Sequence, residues 1–505
     1  MKTVFVATTI LLHASISVTQ AAEPRFEAAT SRSDITPTRA ELNKLRGGFT
    51  DKPPFPDGAS QSLWAKALAT CVGDQTMLLI TLDISTAPLW LSNTIRDELS
   101  RKCSLPREAI VLCTSHTHSA PSVRERCAYT RRLTKEVIAA GEAAVAGLQP
   151  ARIGATKGHL STLGYNSRLP ITDETPVTAC PDRQRHRGGC MFAREHALGR
   201  AGGRPVDHEV GVIRIDDTRG NHLAVLFHYS CHAATVIEGP TLHGDFPGFA
   251  AARIEQHFPG AAAMFLVGAL GNAHPRYFFT DVASARRNGE ELAEEVLRVL
   301  PDVVMADEVQ MAWSSEGFDL ELVHYSKERL RRLLGYFNAY LEELQEDPQA
   351  CWIGEGADTI NLPPRFPVAA RRNMVLPLIS YCEDKLANWP GGELPELKPR
   401  ATEIQVFRWN DIALCLHSWE MFYQTGFEIK RRSPLRYTFP VGLSNTGVGY
   451  VAPQEEFHLG GYEVVTSPMY GKRPGMWSPK NCDRLVERFT ALLQKTRRLP
   501  TNSSQ

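Results

Sequence analysis

The chain carries no excess of either charge: 56 lysines and arginines stand against 56 aspartates and glutamates in 505 residues. A balanced surface gives no electrostatic ground for a nucleic-acid partner or an anionic membrane. The 11 cysteines contain no C-x-x-C pair, which removes zinc ribbons and thioredoxin-like redox sites from consideration. No G-x-S-x-G elbow or phosphate-binding G-x-x-x-x-G-K-[ST] loop occurs, and TGVGYV at 446–451 lacks the third glycine of a dinucleotide fingerprint. No internal repeat is present, and beyond the N-terminus no apolar run reaches the length of a membrane-spanning helix.

What is present is an ordinary globular composition, 43% hydrophobic, with apolar strands and amphipathic helices alternating through the first two-thirds. Strands are expected at 76–83, 109–114, 222–229 and 262–269, and helices at 92–103 (capped by Ser92), 133–148, 246–258 and 284–300. That alternation predicts an α/β fold with a large, buried mixed sheet and flanking helices. In the last third, 308–323 and 402–420 read as strand pairs, the second turning at Asn410-Asp411, and 327–344 and 482–493 as helices. The Arg-, Gly- and His-rich stretch 173–205 reads as a long loop bearing solvated charges. Residues 1–21 combine Lys2, an apolar stretch and small residues up to Ala21, the pattern of a secretory signal; a soluble, secreted or periplasmic protein with one domain over 22–500 is expected. Export would permit a local Cys180–Cys190 disulfide, and the odd cysteine count leaves at least one thiol free.

The informative feature is how the apolar strands end. VLCTSHTHSAPS at 111–122 runs from a buried strand straight into His116 and His118. AVLFHY runs into SCHAATV and His232, AAMFLVGA into LGNAHPR and His274, and IALCLH into SWEMF and Glu420. Ligands in open α/β sheets bind outside the carboxyl ends of strands, where side chains are held rigidly around a crevice. Each ending alone fits a satisfied structural residue. Together, imidazoles and a carboxylate spread through the sequence form a donor set that suits catalytic zinc, which lowers the pKa of bound water from about 15.7 to roughly 7.

Several ordered segments resemble the neutral, non-lysosomal ceramidases, zinc amidases that cleave the N-acyl bond of ceramide. The segments are RSDITPT (32–38), VLCTSHTHSAP (111–121), FHYSCHAATV (227–236) with HGDFPGFAA (243–251), GALGNAHP (268–275), ALCLHSWEMF (413–422) and GYVAPQEEFHLGGYE (449–463). The resemblance implies His116, His232, Glu420 and Tyr450 as zinc ligands. It implies His118 as a neighbouring or substrate-contacting histidine able to shuttle a proton, and Tyr462 as donor to the reacting carbonyl. Arg168 in GYNSRLP is implied as a substrate-side arginine, and His274 stands where the family usually carries a serine that meets the substrate's polar head. Asp245, just before Phe246-Pro247, reads as the cap of the following helix. The function implied is zinc-dependent hydrolysis of a linear N-acyl amide, small-molecule or lipid, without the immunoglobulin-like C-terminal domain of the larger ceramidases. Two readings stand beside it: a zinc hydrolase of a smaller amide or ester, and a zinc-containing binding protein without turnover.

Overall fold

In the computed structural model the described residues are 25–45, 55–175, 177, 179–192, 204–237, 239–364 and 366–498. The expected signal segment lies outside them. Eight strands form one mixed sheet: β1 (Phe26–Asp34), β2 (Trp64–Val72), β3 (Gln75–Leu82), β4 (Ile110–Thr114), β5 (Gln149–His159), β6 (Glu209–Asp217), β7 (His222–Tyr229) and β8 (Ala262–Val267). Their order is β8-β7-β6-β5-β1-β2-β3-β4. The pairs β3/β4 and β7/β8 are parallel and every other pair is antiparallel.

The sheet is two four-stranded halves joined at a corner, because β1 and β5 match only at Glu27–Pro150 and Ala28–Gln149. Bending there brings the edge strands β4 and β8 toward each other. A second antiparallel-and-parallel sheet, β9 (Met311–Leu320), β10 (Arg400–Trp409), β11 (Ile412–Leu416) and β12 (Tyr437–Val441), lies across the concave side. Leu79, Val111, Leu226 and Leu266 pack against Phe407, Leu414 and Phe439 between the two sheets. The alternate residues of the same strands face outward: Leu78, Ile80 and Leu112 meet α1 (Leu89–Cys103) and α2 (Ala128–Ala146). Val225 and Phe265 meet α3 (Asp245–His257) and α4 (Val282–Val299). Strands buried on both faces must be continuously apolar, which is why β4 and β8 read as unbroken hydrophobic runs. Each fully buried leucine contributes roughly 1.5–3 kcal/mol.

Behind the second sheet lies α8 (Lys480–Arg498), with α7 (Tyr423–Arg432) beside it, and a satellite core joins α5 (Lys327–Glu346) and α6 (Val368–Ala387) to Val464 and Met469.

Four local expectations change. Helix α1 starts at Leu89 after Pro88, so Ser92 is a buried helical residue and not the cap. Residues 311–320 make no hairpin of their own but pair with Arg400–Trp409. Within the expected loop 173–205, Arg183–His186 forms a helical turn and Cys190–Phe192 a short strand. All eleven cysteines are free thiols: Cys180 packs with Ile171 and Met191, and no disulfide joins it to Cys190. No helix among the described residues is long and apolar enough to cross a membrane.

Candidate metal centre

The strand ends converge. After β4 the chain turns sharply, with Ser115 N–H donating to the Leu82 carbonyl (2.9 Å) and His116 in a left-handed conformation, φ +62°. A histidine at positive φ is uncommon and costs conformational energy. Here the turn aims the imidazole back into the crevice, and its Nδ1 donates to the Ser85 carbonyl at 2.9 Å. After β7, His232 N–H donates to the Ala273 carbonyl (2.9 Å) and its Nδ1 to the Leu270 carbonyl (2.8 Å). A carbonyl accepts only from N–H, so in both neutral rings the proton sits on Nδ1 and Nε2 offers a lone pair.

Glu420 reaches the same point from the other sheet. Its N–H donates to the Gly449 carbonyl (3.0 Å), and Glu420 pairs with Tyr450 in a two-residue parallel ladder that sets the two side chains side by side. His417, which sequence reasoning passed over, shapes this approach: its Nδ1 accepts the Trp419 N–H at 3.2 Å, bending the chain toward Glu420. A residue accepting from two positions on is a turn signal usually sought in Asn or Asp.

The donor atoms crowd together. Glu420 Oε2 lies 3.2 Å from His232 Nε2 and 3.5 Å from His116 Nε2. The Tyr450 hydroxyl lies 3.1 Å from His232 Nε2, and His118 Nε2 lies 3.4 Å from His116 Nε2. Atoms bound tetrahedrally at about 2.0–2.2 Å to one ion are roughly 3.3 Å apart. Facing lone pairs and a carboxylate at this spacing repel unless a cation sits among them, so the residues present fit a zinc-type metal. His116, His118 and His232 alone bring their ligand atoms within 4.8 Å of one another, which adds His118 to the candidate donors. Burial would raise the Glu420 carboxyl; without an ion between them, only a positive charge on the adjacent His116 and His232 rings outweighs it and draws the group well below the usual range, and a bound cation supplies the same pull with the rings neutral. Burial, with His116 and His232 nearby, holds His118 well below the usual histidine value.

The other expected residues lie around this cluster. His274 stacks on His232, with centroids 4.5 Å apart and planes within 5°, and packs edge-on against Phe278. The Tyr462 ring lies 5.7 Å from Tyr450, and the residue is 38% exposed. Arg168 is elsewhere: it is 1% exposed and its guanidinium is committed to Glu456, Glu463 and the Gly460 carbonyl. Asp245 is the first helical residue of α3 after Gly244, at φ +51°, and its carboxylate accepts from Val236 N–H (3.0 Å) and Phe246 N–H (2.7 Å). It pins the segment after His232 to the helix rather than capping the helix.

No protein-family model matches the sequence, and no curated protein does. Solved structures do match. One is the neutral ceramidase of Pseudomonas aeruginosa, with a TM-score of 0.63 and 15% identity over 96% of this chain and 76% of the other. Another, described as a ceramidase complexed with C2, matches at a TM-score of 0.64 and 16% identity over 96% of this chain and 77% of the other. From β1 to α8 the chain has the fold of the neutral ceramidases.

Proposed function

We propose that this protein is an exported, metal-dependent amidohydrolase that cleaves a linear N-acyl bond, with His116, His232, Glu420 and Tyr450 holding one zinc ion in a single catalytic domain. The observation carrying this reading is the convergence of two carbonyl-oriented Nε2 atoms, one carboxylate oxygen and one phenol within 3.1–3.5 Å of their neighbours. A bound zinc supplies Lewis acidity at the acyl carbonyl and makes water nucleophilic near neutral pH.

The chain's own residues provide the rest. The Ser85 and Leu270 carbonyls keep the two imidazoles in one tautomer and orientation. Glu420 supplies the carboxylate oxygen beside them, 3.2 Å from His232 Nε2 and 3.5 Å from His116 Nε2. His118 Nε2, half-buried and 3.4 Å from His116 Nε2, is placed to pass a proton to the departing amine. The Tyr462 hydroxyl donates to the carbonyl oxygen as negative charge develops on it. His274, stacked on His232, takes up room at the wall where a serine would leave it open; this favours a smaller amide or ester over ceramide. The signal pattern of residues 1–21 supports export.

The test is a panel of N-acyl amines, from acetylated to long-chain and ceramide, offered to chelator-stripped and zinc-restored protein. The reading expects hydrolysis of at least one amide, lost on stripping and regained with zinc. Hydrolysis that survives complete stripping would contradict it.

A further inference from the structure

Resting on that reading, we infer that Arg168, Glu456 and Glu463 are positioning residues that set the Tyr462 hydroxyl through a buried ionic clasp spanning the loop behind it. Arg168 Nε donates to Glu456 Oε2 (3.0 Å) and its Nη1 to Glu463. Its Nη2 donates to the carbonyls of Glu456 (3.2 Å) and Gly460 (2.8 Å). One guanidinium therefore holds the chain on both sides of Gly461-Tyr462. Arg204 pairs with the second oxygen of Glu456 and donates to the Arg168 carbonyl at 2.7 Å.

The loop geometry requires this clasp to sit close. Gly461 has φ +77° and ψ −174°, a conformation open essentially to glycine alone. A Cβ placed there would lie 2.4 Å from Cys190 Sγ and 3.1 Å from Arg168 Nη1. Tyr462 then opens a π-helical turn over Tyr462–Thr466, the type of irregularity that often marks functional sites. The same network reaches the metal ligands' own loops. Gln424, just after Glu420, donates to Glu456 (2.8 Å) and accepts from Asn272 (3.1 Å), two residues before His274.

A buried arginine–carboxylate group of this kind is weak evidence for stability by itself, because desolvation offsets its attraction. Its fork geometry, however, fixes direction as well as distance, which lysine cannot reproduce. Arg168 makes no hydrogen bond to a metal-site donor; its direct bonds are to the segment on both sides of Tyr462, and the link to the ligand loops runs one residue further, through Gln424.

A double-mutant cycle on the most rapidly cleaved amide tests this, using Tyr462→Phe, Glu463→Gln and the pair in zinc-loaded full-length protein. Displacing a catalytic group by an ångström costs on the order of a hundredfold in rate. Glu463→Gln is therefore expected to lower kcat by about that factor, with KM and bound zinc near the parent's, yet to add less than about twofold once Tyr462 is phenylalanine. Multiplying losses, or an unchanged kcat in Glu463→Gln, would overturn the clasp. If Glu463→Gln fails to fold, the milder Arg204→Gln is put through the same cycle with the same criterion. An activity-independent readout separates this inference from the function beneath it: the ring Cζ resonance of Tyr462 in labelled protein, assigned through Tyr462→Phe. It should shift in Glu463→Gln even if no amide is ever cleaved; an unmoved resonance overturns the clasp whatever the activity.

Discussion

The two sides of the crevice are held by different means. On the histidine side, His116 and His232 hang from strand ends and each ring is oriented by one backbone carbonyl. On the tyrosine side, Tyr462 stands on an irregular loop whose course depends on side chains from distant segments, with Arg168 and Glu463 295 positions apart. The first side is set by the sheet and changes only if the sheet changes. The second is set by a few long-range ion pairs, so substitutions far from the crevice can move its donor. Metal binding and transition-state donation are thus supported mainly by different parts of the molecule, joined through Gln424.

The largest expected effect removes a metal donor. Glu420→Ala leaves the clasp intact and should remove amide hydrolysis by at least about a thousandfold, because the metal's contribution to both carbonyl and water is lost; initial rates with zinc in excess check it. Tyr462→Phe spares the metal and should lower kcat by about a hundred- to a thousandfold, the usual cost of one oxyanion donor. Metal content measured in the same samples must stay at the parent's level, or the two sides are not separable. Arg168→Ala leaves Glu456 and Glu463 buried without their partner and should cost about 3–5 kcal/mol in stability by urea unfolding.

Gly461→Ala meets both the glycine-only conformation and the Cys190 sulfur, and should cost roughly 1–3 kcal/mol with kcat falling more than metal affinity. The smallest effect belongs to the strand side. Asp83, next to the end of β3, accepts the Trp64 N–H (3.0 Å), and burial pushes its carboxyl up to about 6. The native state then holds a proton that the unfolded chain, with a value near 3.9, releases. The contribution of Asp83 to stability is full below about pH 4 and is lost as pH rises through about 6. Asp83→Asn should flatten that decline without touching kcat; urea midpoints across this range report it.

The difference between the sides also explains what could be read from the sequence. The strand ends were legible because a buried strand must be apolar along its whole length, so His116, His232 and Glu420 stand out where it stops. The edges β4 and β8 meet only because the sheet bends between β1 and β5, and no local pattern encodes that bend. The pairing of Met311–Leu320 with Arg400–Trp409 was hidden for a similar reason: a strand's alternation shows its faces but not its distant partner. Pro88 displaced the expected start of α1 from Ser92, since a capping residue type is only a preference. Arg168 was expected beside a substrate, and nothing in GYNSRLP shows that Glu456 and Glu463 enclose its charge. His417 carried no signal at all, because its role lies in a turn that asparagine or aspartate usually makes.

The most direct test of the account is the metal bound per chain in the purified parent and in His232→Ala, prepared side by side. The account predicts about one zinc per parent chain and its loss in His232→Ala with the fold retained by circular dichroism. A parent that takes up no zinc after reconstitution, or a His232→Ala protein that binds it equally well, would contradict it.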